Sequence, residues 1–122
     1  MITEDYVSFE TAKLLKEKGY WNIATTLYKE NGDIVNYNVP LNNKGFSSTL
    51  GVFYEAPTLQ TAMKWLREVY GLFIRITEDM TGNVFEWSVY QKNYGCKAST
   101  YVEDSYEKAC ETAIKYCLEN LI

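Results

Sequence analysis

The sequence predicts an α+β fold in a single domain that spans residues 1–122. Three amphipathic helical patterns alternate with stretches in which apolar and polar residues alternate, and turn residues separate them. The predicted order is helix, hairpin, helix, three-stranded antiparallel meander and helix, with the helices packed against antiparallel sheet. With 47% hydrophobic and 23% charged residues, the composition is that of one ordinary globular domain.

Residues 9–18 form the first predicted helix. Ser8 is placed to cap its first turn and Gly19 to end it. Glu10 lies early in this helix, after Glu4 and Asp5, whereas its three lysines lie later, as the helix dipole favours, so we expect the lysines to be structural. The second predicted helix, 59–70, follows a capping Thr58. Its apolar stripe consists of Leu59, Ala62, Met63, Leu66, Val69 and Tyr70.

Residues 23–39 are predicted to form a hairpin around the Asn-Gly pair at 31–32, which favours a two-residue type I′ turn. That turn places Tyr28 opposite Val35 on the face that we expect to be buried. Leu27 is then expected on the other face, because successive strand residues point to opposite sides.

The chain from 40 to 57 contains clusters of Asn, Gly and Ser among scattered apolar residues and has no clear periodicity. It is longer than a usual connection, so we interpret it as a partly packed long loop. Loops of this length are often functional, but apolar anchors of an irregular segment explain it more simply.

Residues 72–79 and 84–92 alternate between apolar and polar positions and predict two antiparallel strands. A two-residue loop and a four-residue loop between them give the same register. In that register Phe73, Arg75 and Tyr90 share one face, opposite to the face that carries the core residues.

A third strand is predicted from about 96 to 102, and the length of the turn before it decides its register. A two-residue turn places Ala98 on the core face, whereas a three-residue turn places Tyr101 there. The last helix starts at Asp104 or Ser105. Its apolar stripe consists of Tyr106, Ala109, Cys110, Ala113, Ile114, Cys117, Leu118, Leu121 and Ile122, so both helical cysteines are expected in the core.

The charge is that of an acidic protein, because 12 Lys and Arg against 16 Asp and Glu give a net charge of -4. This sign disfavours nucleic-acid binding by phosphate neutralisation. The absence of histidine excludes histidine-dependent triads and two-histidine zinc sites, and three scattered cysteines do not replace those ligands. We therefore expect no cofactor and no metal.

The cysteines and the N-terminal segment indicate the compartment. Cys110 and Cys117 stand seven residues apart in one predicted helix, about 10 Å, and cannot pair with each other. The N-terminal segment lacks the basic and apolar regions of a signal peptide, and no stretch approaches the roughly 20 apolar residues of a membrane span. We expect a reduced, cytoplasmic protein that makes no membrane contact.

Motifs for catalysis are absent or poorly placed, so we expect that the chain is not an enzyme. No phosphate-loop pattern occurs, and adjacent acids such as Glu78 and Asp79 point apart or lie beside turns. The element order of 58–121 is that of double-stranded-RNA-binding domains, yet the last helix opens with acidic residues where such domains present basic ones. We retain that element order and reject the activity.

Aromatic residues make up 16% of the chain, and Phe73, Arg75 and Tyr90 form the candidate binding site. The leading hypothesis is a non-enzymatic domain that binds another protein or itself. The alternative is single-stranded nucleic-acid binding by stacking on this face, with Lys92 nearby. A third hypothesis is an enzyme that uses a carboxylate or Cys96. Against the two binding hypotheses stands a structural alternative, in which the first hairpin or the long loop covers this face.

The segments 6–19, 56–68, 105–110 and 113–122 resemble a group of uncharacterised small proteins from gut Bacteroides-type bacteria and their phages or prophages. The resemblance covers the three predicted helices, whereas the strands and the long loop differ. It implies an accessory protein of a mobile genetic element that acts inside the bacterial cell. It implies no catalytic residues, because the group carries no known activity.

Overall fold

The computed structural model describes residues 4–22, 24–41, 46–47 and 51–122. These residues form three helices and seven strands, and the strands pair in two antiparallel sheets. The predicted α+β class is therefore confirmed. The chain divides into two compact units, Tyr6–Thr58 and a second unit whose main part is Leu59–Ile122.

The first unit combines one helix with a four-stranded sheet in the order β2-β1-β4-β3. Ser8 caps the helix as predicted, because its Oγ accepts a hydrogen bond from the Thr11 backbone N–H at 3.2 Å. The helix ends one residue before the predicted boundary, and Lys18 is its C-cap. The elements are α1 Phe9–Glu17, β1 Ala24–Lys29, β2 Ile34–Leu41, β3 Phe46–Ser47 and β4 Gly51–Glu55.

The first hairpin forms, but its turn has three residues where the sequence predicts two. The Lys29 N–H donates to the Asp33 carbonyl at 2.8 Å, and the Gly32 N–H donates to the Lys29 carbonyl at 2.9 Å. Gly32 has a φ of 94°, whereas Asn31 lacks the positive φ that a type I′ turn requires. The turn is therefore a type I turn followed by a glycine bulge, and the predicted type I′ turn is wrong.

The extra turn residue shifts the hairpin register by one position. Tyr28 pairs with Ile34 and Leu27 pairs with Val35, so the predicted pairing of Tyr28 with Val35 is wrong. Leu27, predicted on the outer face, is buried with 1% exposure. β1 lies between β2 and β4, and both of its faces carry buried side chains because Thr26 is buried as well.

The segment 40–57 contains the end of β2 and the strands β3 and β4, so the prediction of one long loop is wrong for 40–41, 46–47 and 51–55. β4 pairs with β1, with Leu27 opposite Glu55. Phe53 and Glu55 are buried and Tyr54 is half-buried, so β4 lacks the polar alternation by which a half-exposed strand is recognised. Residues 42–45 and 48–50 of the predicted loop lie outside the described residues.

The second unit consists of two helices and a three-stranded sheet in the order β5-β6-β7. The Asp79 N–H donates to the Val84 carbonyl at 3.0 Å, which closes the four-residue loop 80–83. Ser105 is the N-cap of the last helix, one of its two predicted starts. The elements are α2 Leu59–Tyr70, β5 Leu72–Glu78, β6 Phe85–Gln91, β7 Gly95–Glu103 and α3 Tyr106–Asn120.

The apolar stripes of α2 and α3 form the core of the second unit. Both helices pack against the sheet, where Leu72, Trp87 and Val89 are buried. Val69 is 57% exposed, so its predicted place in the α2 stripe is wrong: it lies in the last turn, beyond the buried part of the stripe. The buried helical residues are Leu59, Ala62, Met63, Leu66, Ala109, Cys110, Ala113, Ile114, Cys117 and Leu118.

Candidate functional site

The two faces of the three-stranded sheet differ in burial. Leu72, Trp87 and Val89 are buried on the face that packs against α2 and α3. The residues between them along each strand point to the opposite side. We call this second surface the open face, and it carries Phe73, Arg75, Thr77, Glu86, Ser88, Tyr90, Cys96 and Val102.

The three predicted site residues meet on the open face. Phe73 lies opposite Tyr90, and Arg75 lies opposite Ser88, in the register that the sequence predicts. The guanidinium carbon of Arg75 is 4.9 Å from the centre of the Tyr90 ring, a cation–π contact. Phe73 is 41% exposed, Arg75 is exposed and Tyr90 is half-buried. Their shared face is confirmed, and their role in binding stays a prediction.

Two residues of β7 complete the open face, and the sequence analysis did not place them there. Cys96 lies opposite Tyr90 and Val102 lies opposite Glu86. Both are exposed, Val102 by 55%. Opposed residues share a face in an antiparallel pair, so Val102 adds an apolar side chain at the end of the open face that is distant from Phe73.

Bulges explain why no single register describes β7. The turn has three residues, because Gln91 pairs with Gly95. The pairing then shifts on both sides of Val89, so that Ala98 lies opposite Val89 and Tyr101 lies opposite Trp87. Each predicted alternative therefore holds for one part of the strand, since a bulge moves one strand by a residue relative to its partner.

Basic and aromatic residues gather at the end of the open face near the β6–β7 turn. Arg75 is directed to this end by its contact with Tyr90. The Lys97 ammonium is 5.6 Å from the centre of the Tyr94 ring, and Lys92 lies in the turn itself. This end therefore combines three cations with exposed ring surface.

Acidic residues gather at the opposite end, near the β5–β6 turn. Glu86 is exposed on the open face, and Glu78 and Asp79 are exposed where β5 enters the turn. A hydrogen bond from the Thr81 hydroxyl lowers the pKa of Asp79. The sheet is consequently polar along its strands, with a positive end and a negative end.

A buried carboxyl group in the first unit was missed because it lies in the predicted long loop. Glu55 is 5% exposed, and the Asn22 backbone N–H donates to both of its oxygens, at 2.9 and 2.7 Å. Burial raises the pKa of Glu55 from 4.5 to about 7, against the opposing effects of Asn22 and Lys16. Burial and the charge of Glu55 raise the pKa of Tyr20 to about 12.

The cysteines differ in their chemical environment. Burial raises the pKa of Cys110 to about 11 and that of Cys117 to about 12, so both thiols keep their protons at neutral pH. Cys96 is exposed and directs its thiol to the Ala98 carbonyl at 3.5 Å. The helical cysteines therefore act as small apolar core residues.

A hollow of about 290 Å³ lies beside β6 and α3, with Trp87 and Tyr116 among its lining residues. Its volume is at the lower limit of small-molecule pockets, which measure about 300–1,000 Å³. Among the described residues, no three His, Cys, Asp or Glu side chains are grouped so as to hold a metal ion. In that same part of the chain, no helix has both the length and the apolar character to cross a bilayer.

Comparison of the chain with family models, with curated proteins and with solved structures gives no match. Function is therefore inferred from the open face itself, where aromatic residues, an arginine in contact with Tyr90 and separated charges lie on one sheet.

Proposed function

We propose that this chain is a non-enzymatic protein-interaction module whose binding surface is the open face. The observation that carries this proposal is the exposure of Phe73 beside the Arg75–Tyr90 contact on regular strands. Tyrosine and arginine dominate the binding energy of protein interfaces because they combine a large contact area with directional polar groups.

The rigidity of the surface supports a binding role. β5 and β6 pair without a register shift, so the backbone beneath Phe73, Arg75 and Tyr90 is fixed before any partner arrives. The cation–π contact with the Tyr90 ring also favours one position of the Arg75 guanidinium. Binding then loses little side-chain entropy, and more of the contact energy is retained as affinity.

The cellular setting follows from the sequence. The chain acts as an accessory protein of a phage or another mobile element in the bacterial cytoplasm, as the resemblance of its three helices implies. Three free cysteines, two of them buried, support a reducing compartment. Its target in that setting is a protein, since the net charge of -4 opposes a role that depends on phosphate contacts.

The test is affinity capture from a nuclease-treated lysate of a gut Bacteroides-type bacterium. We compare the tagged chain with a double variant, Arg75→Ala with Tyr90→Ala, and with Val69→Ala, which removes exposed apolar surface from helix α2. The chain and Val69→Ala are expected to capture the same protein in stoichiometric amount, and the double variant to lose it while its circular dichroism is unchanged.

Two results contradict the proposal. Equal capture by the double variant removes the open face as the binding surface. Salt-sensitive binding of a single-stranded oligonucleotide that Tyr90→Ala abolishes, without protein capture, assigns the face to nucleic acid instead. The three cations at the aromatic end make this second result a necessary comparison.

A further inference from the structure

The charge pattern of the open face is complementary to itself. Arg75 and Lys92 lie toward one end of the strands on this face, and Asp79 and Glu86 lie toward the other. A surface with one positive and one negative end attracts an identical surface when the two are antiparallel, and repels it when they are parallel.

Arg75 and Glu86 are the central charges of this pattern. Arg75 is opposite Ser88, and on β6 Glu86 lies two residues to one side of Ser88 while Tyr90 lies two residues to the other. The Arg75 guanidinium is over Tyr90 and is therefore turned away from Glu86 of its own chain. Both charges are exposed and available to a partner.

We propose that the partner of the open face is a second copy of this chain, an inference that rests on the proposed function. The two sheets face each other about a two-fold axis that lies between them and runs across the strands. This axis reverses the strand direction, so that the positive end of each copy meets the negative end of the other. Arg75 of each copy then reaches toward Glu86 of the other, and Val102 meets the aromatic end.

The face is small for a stable dimer interface. Three strands about 4.8 Å apart and seven residues long, with a rise of about 3.4 Å each, present roughly 350 Å². Stable interfaces bury about 800 Å² on each partner. The dimer is therefore weak and reversible, with dissociation in the micromolar range or above, and its formation depends on salt.

The experiment is sedimentation equilibrium of the full chain from about 5 to about 500 µM, with a reductant so that Cys96 cannot link two copies. The mass is expected to rise from 14.1 kDa toward twice that value with concentration, and to rise less at high salt. Charge reversal by Glu86→Lys or by Arg75→Glu is expected to weaken association about tenfold or more. Glu68→Lys, the same change on the outside of α2, is the control and is expected to leave association unchanged.

Mixing the two variants tests the antiparallel geometry. In a two-fold dimer of either variant alone, positions 75 and 86 of opposite copies carry the same charge, and this repulsion occurs twice. An equimolar mixture of Arg75→Glu and Glu86→Lys pairs Arg75 of one chain with Glu86 of the other, and pairs the two substituted residues with each other. Association is therefore expected to return in the mixture to within about threefold of the original chain.

Several outcomes overturn the inference, and they separate it from the proposed function. A chain that stays monomeric to about 500 µM at low salt has no such dimer. Dimerisation that both variants weaken and the mixture fails to restore excludes the antiparallel arrangement. If the chain is monomeric but the Arg75 and Tyr90 double variant loses a captured protein, the self-association falls and the proposed function stands. If neither association nor capture depends on the face, both fall.

Discussion

The buried carboxyl group of Glu55 makes stability depend on pH, and Glu55→Gln removes this dependence. Glutamine has nearly the same shape and retains an oxygen that accepts from the Asn22 N–H, so packing is preserved while the charge is lost. Glu55 faces Lys16 of α1 and the Tyr20 hydroxyl, and burial raises the pKa of Tyr20 to about 12, so this hydroxyl stays neutral between pH 4 and pH 8.

The sign follows from the two pKa values. Below pH 4.5 the carboxyl group is protonated in both the folded and the unfolded chain and contributes nothing. Between 4.5 and about 7 the unfolded chain releases the proton while the folded chain retains it, so the free energy of unfolding falls as pH rises. Above about 7 the carboxyl group is ionised in both the folded and the unfolded chain, and the free energy of unfolding falls no further. The total decrease is about 3 kcal/mol, which is the difference between the two pKa values converted to free energy.

The assay is urea unfolding of the chain and of Glu55→Gln at pH values from 4 to 8, followed by tryptophan fluorescence, with Trp21 next to the Asn22 amide. Subtracting the variant cancels the titration of the other carboxylates. We expect the variant to gain about 3 kcal/mol relative to the original chain between pH 4 and pH 8. A difference that is constant within about 0.5 kcal/mol across this range refutes burial as the controlling cause.

Three further perturbations have defined outcomes. Gly32→Ala adds a Cβ 3.4 Å from the Phe9 ring at a φ of 94°, and is expected to lower the free energy of unfolding by about 1–2 kcal/mol in urea titrations; no loss excludes the glycine bulge. Ile114→Ala removes a fully buried side chain of α3 and is expected to lower the free energy of unfolding by about 3 kcal/mol in the same titrations. A decrease of less than about 1 kcal/mol contradicts the burial of Ile114. A thiol reagent is expected to label one cysteine, Cys96, in the folded chain and all three in denaturant, and rapid labelling of a second thiol contradicts the buried positions of Cys110 and Cys117.

Local patterns were sufficient to predict the second unit. The helices α2 and α3 follow from apolar spacing, and β5 and β6 follow from alternation that one buried face imposes. Because either loop length gave the same register, the shared face of Phe73, Arg75 and Tyr90 followed from the sequence as well. The positions of the β7 residues on this face did not follow from the sequence, because bulges depend on how a strand pairs with its neighbour and no residue type predicts them.

The first unit shows where local patterns fail. Asn31 and Gly32 are compatible with two turn types that differ by one residue, and the pattern of the flanking strands does not choose between them when β1 has both faces covered. β4 was missed because Val52, Phe53 and Tyr54 are consecutive nonpolar residues and the acidic residue that follows, Glu55, is buried, so apolar and polar residues do not alternate with the faces of the strand. Glu55 was missed in consequence, since its burial depends on pairing between β4 and β1.

The central claim is that the open face contacts a protein, and photo-cross-linking tests it most directly. Benzoylphenylalanine replaces Phe73 on the open face in one variant and Val69 on the outside of α2 in another, and each is irradiated in nuclease-treated lysate and as purified protein at about 200 µM. We predict protein cross-links from position 73, including a product of twice the chain mass in the purified sample, and none from position 69. Cross-links from position 69 alone, or none from position 73, contradict the claim.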